Sequence, residues 1–246
     1  MGFRKLKKKI DTIKKLLNIS KEKLDDTDKI DENKEIKSII DSLLNTIELE
    51  SIFDNLLNIK KPQNWLTIKY YEKNYPTGEF KSNSRIITVD NNAKSSIDKD
   101  KFCVANLKGK FTTNEKIKNT KELIGKGVKI NFDGNNVIIV NNSTTNLFVH
   151  SLGINKLYGR SDNSVQRVPP ENTAVIFRKS IFQQLLFNHL REGDKSIRDL
   201  YAMCKIRISF KTSRNLGDSS VIPDVPCWLE LQLNIPRGIL DSIILK

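Results

Sequence analysis

From Trp65 onward the chain consists of short apolar runs, WLTIKYYE, RIITV, KFCVANL, VKINF, NVIIVNN, NLFVHS, AVIF, CKIRISF and CWLELQL, separated by clusters of Asn, Gly, Asp and Ser. Runs this short and this rich in β-branched and aromatic residues suit a pleated, half-buried surface better than a helix. Nine of them at such spacing predict a β-sandwich or barrel. The DGNN between KINF and VIIV is a hairpin turn signal, because Gly134 can take a positive φ without steric cost. Three stretches break the pattern. TNEKIKNTKELIGKG has helical spacing, with Thr or Asn as N-cap and Gly at its exit. KSIFQQLLFNHLREGDKSIRDLYAM reads as one or two helices across Gly193, and RGILDSIILK as a terminal helix after Pro236. The expected fold is α+β, an antiparallel β-sandwich with helices packed at its ends.

The first sixty residues have another texture. Phe3, Leu6, Ile10, Ile13, Leu16 and Leu17 recur at spacings of three and four, as do Ile36, Ile40, Leu43 and Ile47, then Phe53, Leu56 and Leu57. Both runs predict amphipathic helices, separated by the polar DDTDKIDENK. Residues 1–23 carry 9 basic and 2 acidic side chains, residues 24–60 carry 4 and 10. This separation of charge suits a helical spacer or coiled coil, or a basic head that meets an anionic surface or an import receptor. Residues 1–62 are therefore expected to form a charge-segregated helical extension, and residues 63–246 the sandwich domain.

Net charge narrows the partners. The chain of 246 residues has a formal charge of +13, and residues 61–246 hold 29 basic and 17 acidic side chains. An excess of that size favours an anionic partner: nucleic acid, an acidic membrane face or a phosphorylated protein. No run of about 18 apolar residues occurs, so no transmembrane helix is expected. Three Cys and two His stand at no metal-ligand spacing, so neither a disulfide framework nor a zinc module is expected. His150 and His189 lie in apolar contexts as structural histidines, and Cys204 and Cys227 read as small core residues. ELIGKG and FDGNN lack phosphate-loop spacing. With no nucleophile, base and orienting group to nominate together, neither enzyme activity nor a cofactor is expected.

Specific motifs lie on the strands. YAMCKIRISF, a loop, and then PCWLELQLNIPRGILDSIIL resemble the end of the C-terminal Mad-homology domain of SMAD proteins: a Met-Cys-x-Ile-Arg-x-Ser-Phe strand, a long loop, and Pro-Cys-Trp-(Ile/Leu)-Glu-(Leu/Ile) leading into a final helix. WLTIKYYEKN is similar to that family's opening strand and KFCVANL to its Arg-Phe-Cys-Leu-x-x-Leu strand. ELIGKGVKI resembles its His-Ile-Gly-Lys-Gly-Val helix exit, LFVHS its Ile-Phe-Val-Gln-Ser, and VQRVPP its Val-x-Lys-Ile-Pro-Pro. Cys103, Cys204, Cys227, Trp65 and Trp228 all fall on these motifs. The resemblance spans residues 65–246. It implies a SMAD/FHA-like sandwich with a three-helix bundle at one end and a loop-helix region at the other.

The resemblance also implies a site. Arg167 falls at the basic position of the Val-x-Lys-Ile-Pro strand that lines a phosphoserine pocket, and an arginine can meet a phosphate bidentately. Its bland alternative is a solvated strand-edge Arg. A second pocket lysine follows Ser-Phe; here Lys211 stands one position early and Thr212 at the strict match. Arg160, in LYGRSDN, falls where receptor-activated members have Trp and close to an Arg of common-mediator members. Arg207 is predicted to share a face with Lys205 by the period of two, either as a phosphoserine ligand or paired with a carboxylate. The partner or receptor loop is expected over Lys211, Thr212, Ser213, Arg214, Asn215, Leu216, Gly217 and Asp218, and it lacks the family's Lys-Gly-Trp-Gly. KGKF lacks the family's Asn-Val-x-Arg, which places one trimer-interface cation in doubt. Residues 1–60 contain no Cys or His, so the zinc-holding DNA-reading domain of such proteins is expected to be missing, and ILDSIILK offers no Ser-x-Ser phosphorylation tail.

The function expected from these residues is that of a SMAD-like signal transducer and transcription regulator in transforming growth factor β or bone morphogenetic protein signalling, common-mediator-like or inhibitory. Its partners would be other SMAD proteins in homo- or hetero-trimers, phosphorylated receptors or SMAD tails, and transcription factors, in cytoplasm and nucleus. Direct DNA binding and membrane association are not expected. The alternative is a basic nucleic-acid or chromatin adaptor that uses the sandwich as a scaffold, with aromatic and basic residues interleaved in IKYYEKNY.

Overall fold

A computed structural model describes residues 62–244, apart from 94–97, 112, 193–196, 212–215 and 218–223; of residues 190–192 and 197 only the backbone is described, and of 243–244 likewise. The helical extension expected over residues 1–62 thus lies, but for Pro62, outside the described residues. The chain divides into two compact units, residues 62–238 and residues 1–61 with 239–246.

The first unit is α+β with two sheets. Its strands are β1 (Leu66–Glu72), β2 (Tyr75–Ser82), β3 (Ile86–Asp90), β4 (Lys101–Cys103), β5 (Val128–Phe132), β6 (Asn136–Asn141), β7 (Leu147–His150), β8 (Gln166–Val168), β9 (Thr173–Arg178), β10 (Lys205–Ser209) and β11 (Cys227–Leu233). One sheet has the order β2-β1-β11-β10-β7-β8, the other β4-β3-β5-β6-β9. Pairing is antiparallel except between β3 and β4, which run parallel. Alternation decides the core: Ile68, Tyr70, Ile206, Ile208, Leu229 and Leu231 of the first sheet and Ile87, Val89, Ile130, Val137 and Ile139 of the second are all buried. Side chains alternate between the two faces of each strand, and on β11 the second face is covered too, with Trp228 and Glu230 buried.

Two strands, β2 and β8, escaped the sequence pattern. β2 (YPTGEFKS) contains Pro and Gly and is mostly exposed, which an edge strand tolerates. KFCVANL is a strand only through Cys103; the next three residues form a 3-10 turn, because β3 ends at Asp90 and offers no further partner.

The helices are α1 (Glu115–Ile124), α2 (Leu152–Leu157), α3 (Lys179–Glu192), α4 (Ile197–Met203) and α5 (Asn234–Ile244). Asn114 caps α1 by accepting the Ile117 N–H, and Gly125 ends it at φ 49°, as the spacing predicted. KSIFQQ to DLYAM resolves into two helices, α3 and α4. α5 starts before Pro236, which is tolerated because first-turn N–H groups need no intrahelical partner. α2 carried no periodic signal in its six residues. At the DGNN hairpin Gly134 has φ 103°, and the Asp133 carboxylate accepts the N–H groups of Asn135 and Asn136.

Candidate functional site on the outer face of the first sheet

Register carries the site across the strands. Arg167 on edge strand β8 stands opposite Phe148 on β7, Phe148 opposite Ser209 on β10, and Ser209 opposite Trp228 on β11. The parallel row, two residues along, is His150, Arg207, Glu230 and Lys69. Opposed residues share a face, and the row between these two, Val149, Ile208 and Leu229, is buried core. Arg167, Arg207 and Trp228 therefore belong to the outer face of one sheet.

Arg167 is exposed. Lys211 follows β10, where the Ser209 hydroxyl donates to the Lys211 carbonyl at 2.7 Å and accepts its N–H at 3.1 Å. With strands about 4.8 Å apart and about 3.3 Å per residue, the backbones of Arg167 and Lys211 stand roughly 12 Å apart, within reach of two long side chains. Arg160 is exposed after α2, its guanidinium carbon 5.0 Å from the Tyr158 ring centroid. Arg207 is half-buried, 5.5 Å from the Trp228 ring centroid, and Tyr71 stacks on that ring at 4.0 Å. Its position between Glu230 and Trp228 fits an anchored arginine. Of the expected loop, Lys211, Leu216 and Gly217 are described; Thr212, Ser213, Arg214, Asn215 and Asp218 lie outside the described residues. Leu216 is fully buried, and a Cβ on Gly217 would meet the Asn163 carbonyl oxygen at 1.9 Å, so Gly217 is seated closely against Asn163, in the segment before β8.

A cleft of about 420 Å³ opens beside Arg207, lined by residues including His150, Asp162, Arg198, Asp199, Tyr201, Lys205 and Arg237. His150 is buried and its Nε2 donates to the Asp162 carbonyl at 2.8 Å. Burial holds the imidazole below its ordinary pKa, and the nearby Arg207 charge adds to this, against the raising effect of Asp162. Lys156, outside the cleft, engages the acidic wall: its ammonium lies 2.9 Å from Asp199 and 3.7 Å from Asp162. Arg237 donates to the Gln232 side chain. Among the four cations only Arg207 and Lys205 were expected to share a face. Arg198 and Arg237 sit on α4 and α5, and no periodicity ties them to β10.

The remaining reactive types are placed as core. Cys204 and Cys227 are buried, and burial pushes the Cys227 thiol up to about 11. His189 is buried on α3. Among the described residues no cluster of three or more His, Cys, Asp or Glu could hold a metal ion, and no helix is long and apolar enough to cross a membrane.

Comparison with known proteins adds two findings. A family model described as MH2 domain matches residues 63–234. Among solved structures, the interferon regulatory factor 9 IAD domain is similar with a TM-score of 0.54 and 11% identity, over 75% of this chain and 90% of that chain. A structure of STAT2 in complex with IRF9 is similar with a TM-score of 0.54 and 9% identity, over 74% of this chain and 99% of that one. At such identities the likeness is one of fold.

Proposed function

The chain belongs to the MH2 domain family, and we propose on that footing that its SMAD-like protein-interaction domain reads phosphoserine on partner proteins through Arg167, with Lys211, Arg160 and Arg207 as its basic surroundings. The observation that carries this reading is the row Arg167, Phe148, Ser209, which brings an exposed arginine and the Lys211 turn to one end of one sheet. A phosphoserine brings about −1.5 to −2 charges and three acceptor oxygens, and two cations of which one is an arginine answer that chemistry. Partners on this reading are phosphorylated SMAD tails or receptors and transcription factors, met as a subunit of SMAD trimers in cytoplasm and nucleus, in transforming growth factor β or bone morphogenetic protein signalling. A common-mediator-like or inhibitory role belongs to the same reading, supported by Arg160, which falls close to an Arg of common-mediator members.

The test is calorimetric titration of the full chain with a Ser-x-Ser tail peptide, phosphorylated and not. A preference of tenfold or more for the phosphorylated peptide is expected, largely lost in Arg167→Glu and retained in Lys126→Glu. Equal binding of both peptides sinks the reading.

One observation favours the nucleic-acid alternative. Beside IKYYEKNY, Lys110 lies 4.5 Å from the Tyr75 ring centroid and Lys73 4.7 Å from that of Phe111, and the two rings tilt against each other at 5.4 Å. Aromatics interleaved with cations are a stacking platform for unpaired bases. A mobility shift with single-stranded oligonucleotide, steeply weakened by salt and by Tyr75→Ala, would speak for it.

A further inference from the structure

Of the cations that line the cleft beside Arg207, only Arg207 itself belongs to the phosphoserine reading. Lys205 starts β10 and Arg167 faces its end, so the two backbones stand roughly 16 Å apart by strand geometry. Arg198, Lys205, Arg207 and Arg237 converge on the cleft from α4, β10 and α5. Arg198 and Lys205 are exposed, and among the described residues neither has an ion-pair partner. The acids of the wall, Asp162 and Asp199, share Lys156, and together these three leave the four cations in clear excess. Like charges crowded into one concavity repel one another and raise the local potential.

We propose that this cleft binds a compact small molecule carrying several phosphate groups. Four cations exceed what one phosphomonoester of about −2 requires, while a volume of about 420 Å³ lies in the range of small-ligand sites. A nucleic-acid duplex presents its phosphates on a convex surface too broad to enter such a cavity. Arginine at three of the four positions suits forked contacts to phosphate oxygens. The Tyr201 side chain and Leu152 add a less polar wall, as a ligand with a carbon skeleton between its phosphates would use.

The experiment titrates the full chain with inorganic triphosphate and with myo-inositol hexakisphosphate, by calorimetry and by thermal unfolding. Both probes are expected to bind and to raise the unfolding temperature. The double variant Arg198→Gln, Lys205→Gln, which changes two exposed side chains, should weaken binding at least tenfold; Lys126→Gln should change it less than twofold. Vesicles of phosphatidylcholine with and without a bisphosphorylated phosphoinositide form a second arm. Binding to soluble probes alone assigns a free metabolite, and variant-sensitive binding to the lipid as well assigns a headgroup of the same chemistry. No binding of either probe overturns the proposal. So does equal weakening by Lys126→Gln, which would mean diffuse surface charge. A phosphoserine peptide should bind the double variant as it binds the parent, so failure here leaves the Arg167 reading standing.

Discussion

Lys121 on α1 places its ammonium 2.6 Å from the carboxylate of Glu72, which ends β1 with no exposed surface. The same ammonium lies 5.6 Å from the Tyr70 ring centroid. The Tyr70 hydroxyl is held well above its ordinary pKa, first by burial and then by Cys227 and Glu72. Among the described residues Lys121 is the one ion-pair partner of this buried carboxylate, which therefore depends on it. Lys121→Met should cost about 3–5 kcal/mol, because it leaves an uncompensated carboxylate, whereas Lys121→Met with Glu72→Leu should recover most of the loss. Urea unfolding of both variants checks this; a single variant within about 1 kcal/mol of the parent contradicts it.

His150 should make stability depend on pH. Its folded pKa is depressed below 6.5 by burial, with Arg207 beside it and Asp162 opposing. A depressed group contributes stability above its unfolded pKa and loses it as pH falls from there through the folded pKa. Stability should therefore fall as pH drops below about 6.5. In His150→Gln, which can still donate to the Asp162 carbonyl, that part of the slope should vanish. Unfolding free energies at pH 7.5 and 5.0 for both proteins decide it, and an unchanged slope refutes the assignment.

The guanidinium of Arg207 over Trp228 should be visible optically. In a Trp65→Phe background, Arg207→Ala should shift the Trp228 emission and cost about 1–2 kcal/mol. Lys at this position should restore only part of the effect, since an ammonium lacks the planar face that stacks on an indole. Full restoration by Lys would reduce the contact to simple charge.

Gly217 should tolerate no side chain. A Cβ there would overlap the Asn163 carbonyl, so Gly217→Val must push this residue off its seat on Asn163, at about 1–3 kcal/mol. Amide exchange at residues 161–164 should accelerate in the variant, and unchanged protection would show the seat to be unimportant.

Much of the fold was legible because burial writes itself into alternation. The CKIRISF and CWLELQL runs show which residues face the core, and their motifs pointed to the family. The strands that escaped, β2 and β8, are edges: YPTGEFKS and QRV bury little, so selection for apolar residues leaves no pattern there. α2 escaped because six residues do not complete two turns. At the site, Arg167, Arg160, Arg207 and Lys211 were legible only through motifs, since an exposed cation has no periodicity of its own.

By itself, then, the sequence determined the element types, the inward faces, the family and the surplus of positive charge. Where that charge gathers was decided by tertiary structure. Arg237 stands far along the chain from Arg198 and Lys205, and the three line one cleft because β10 pairs with β11 in one register while α4 leads into β10 and β11 into α5. Strand pairing and helix docking are driven by the apolar sides of these elements, and the cations on their other sides are brought together as a consequence. A local pattern cannot express that coincidence, because no term in it links residues that touch only after the core has formed.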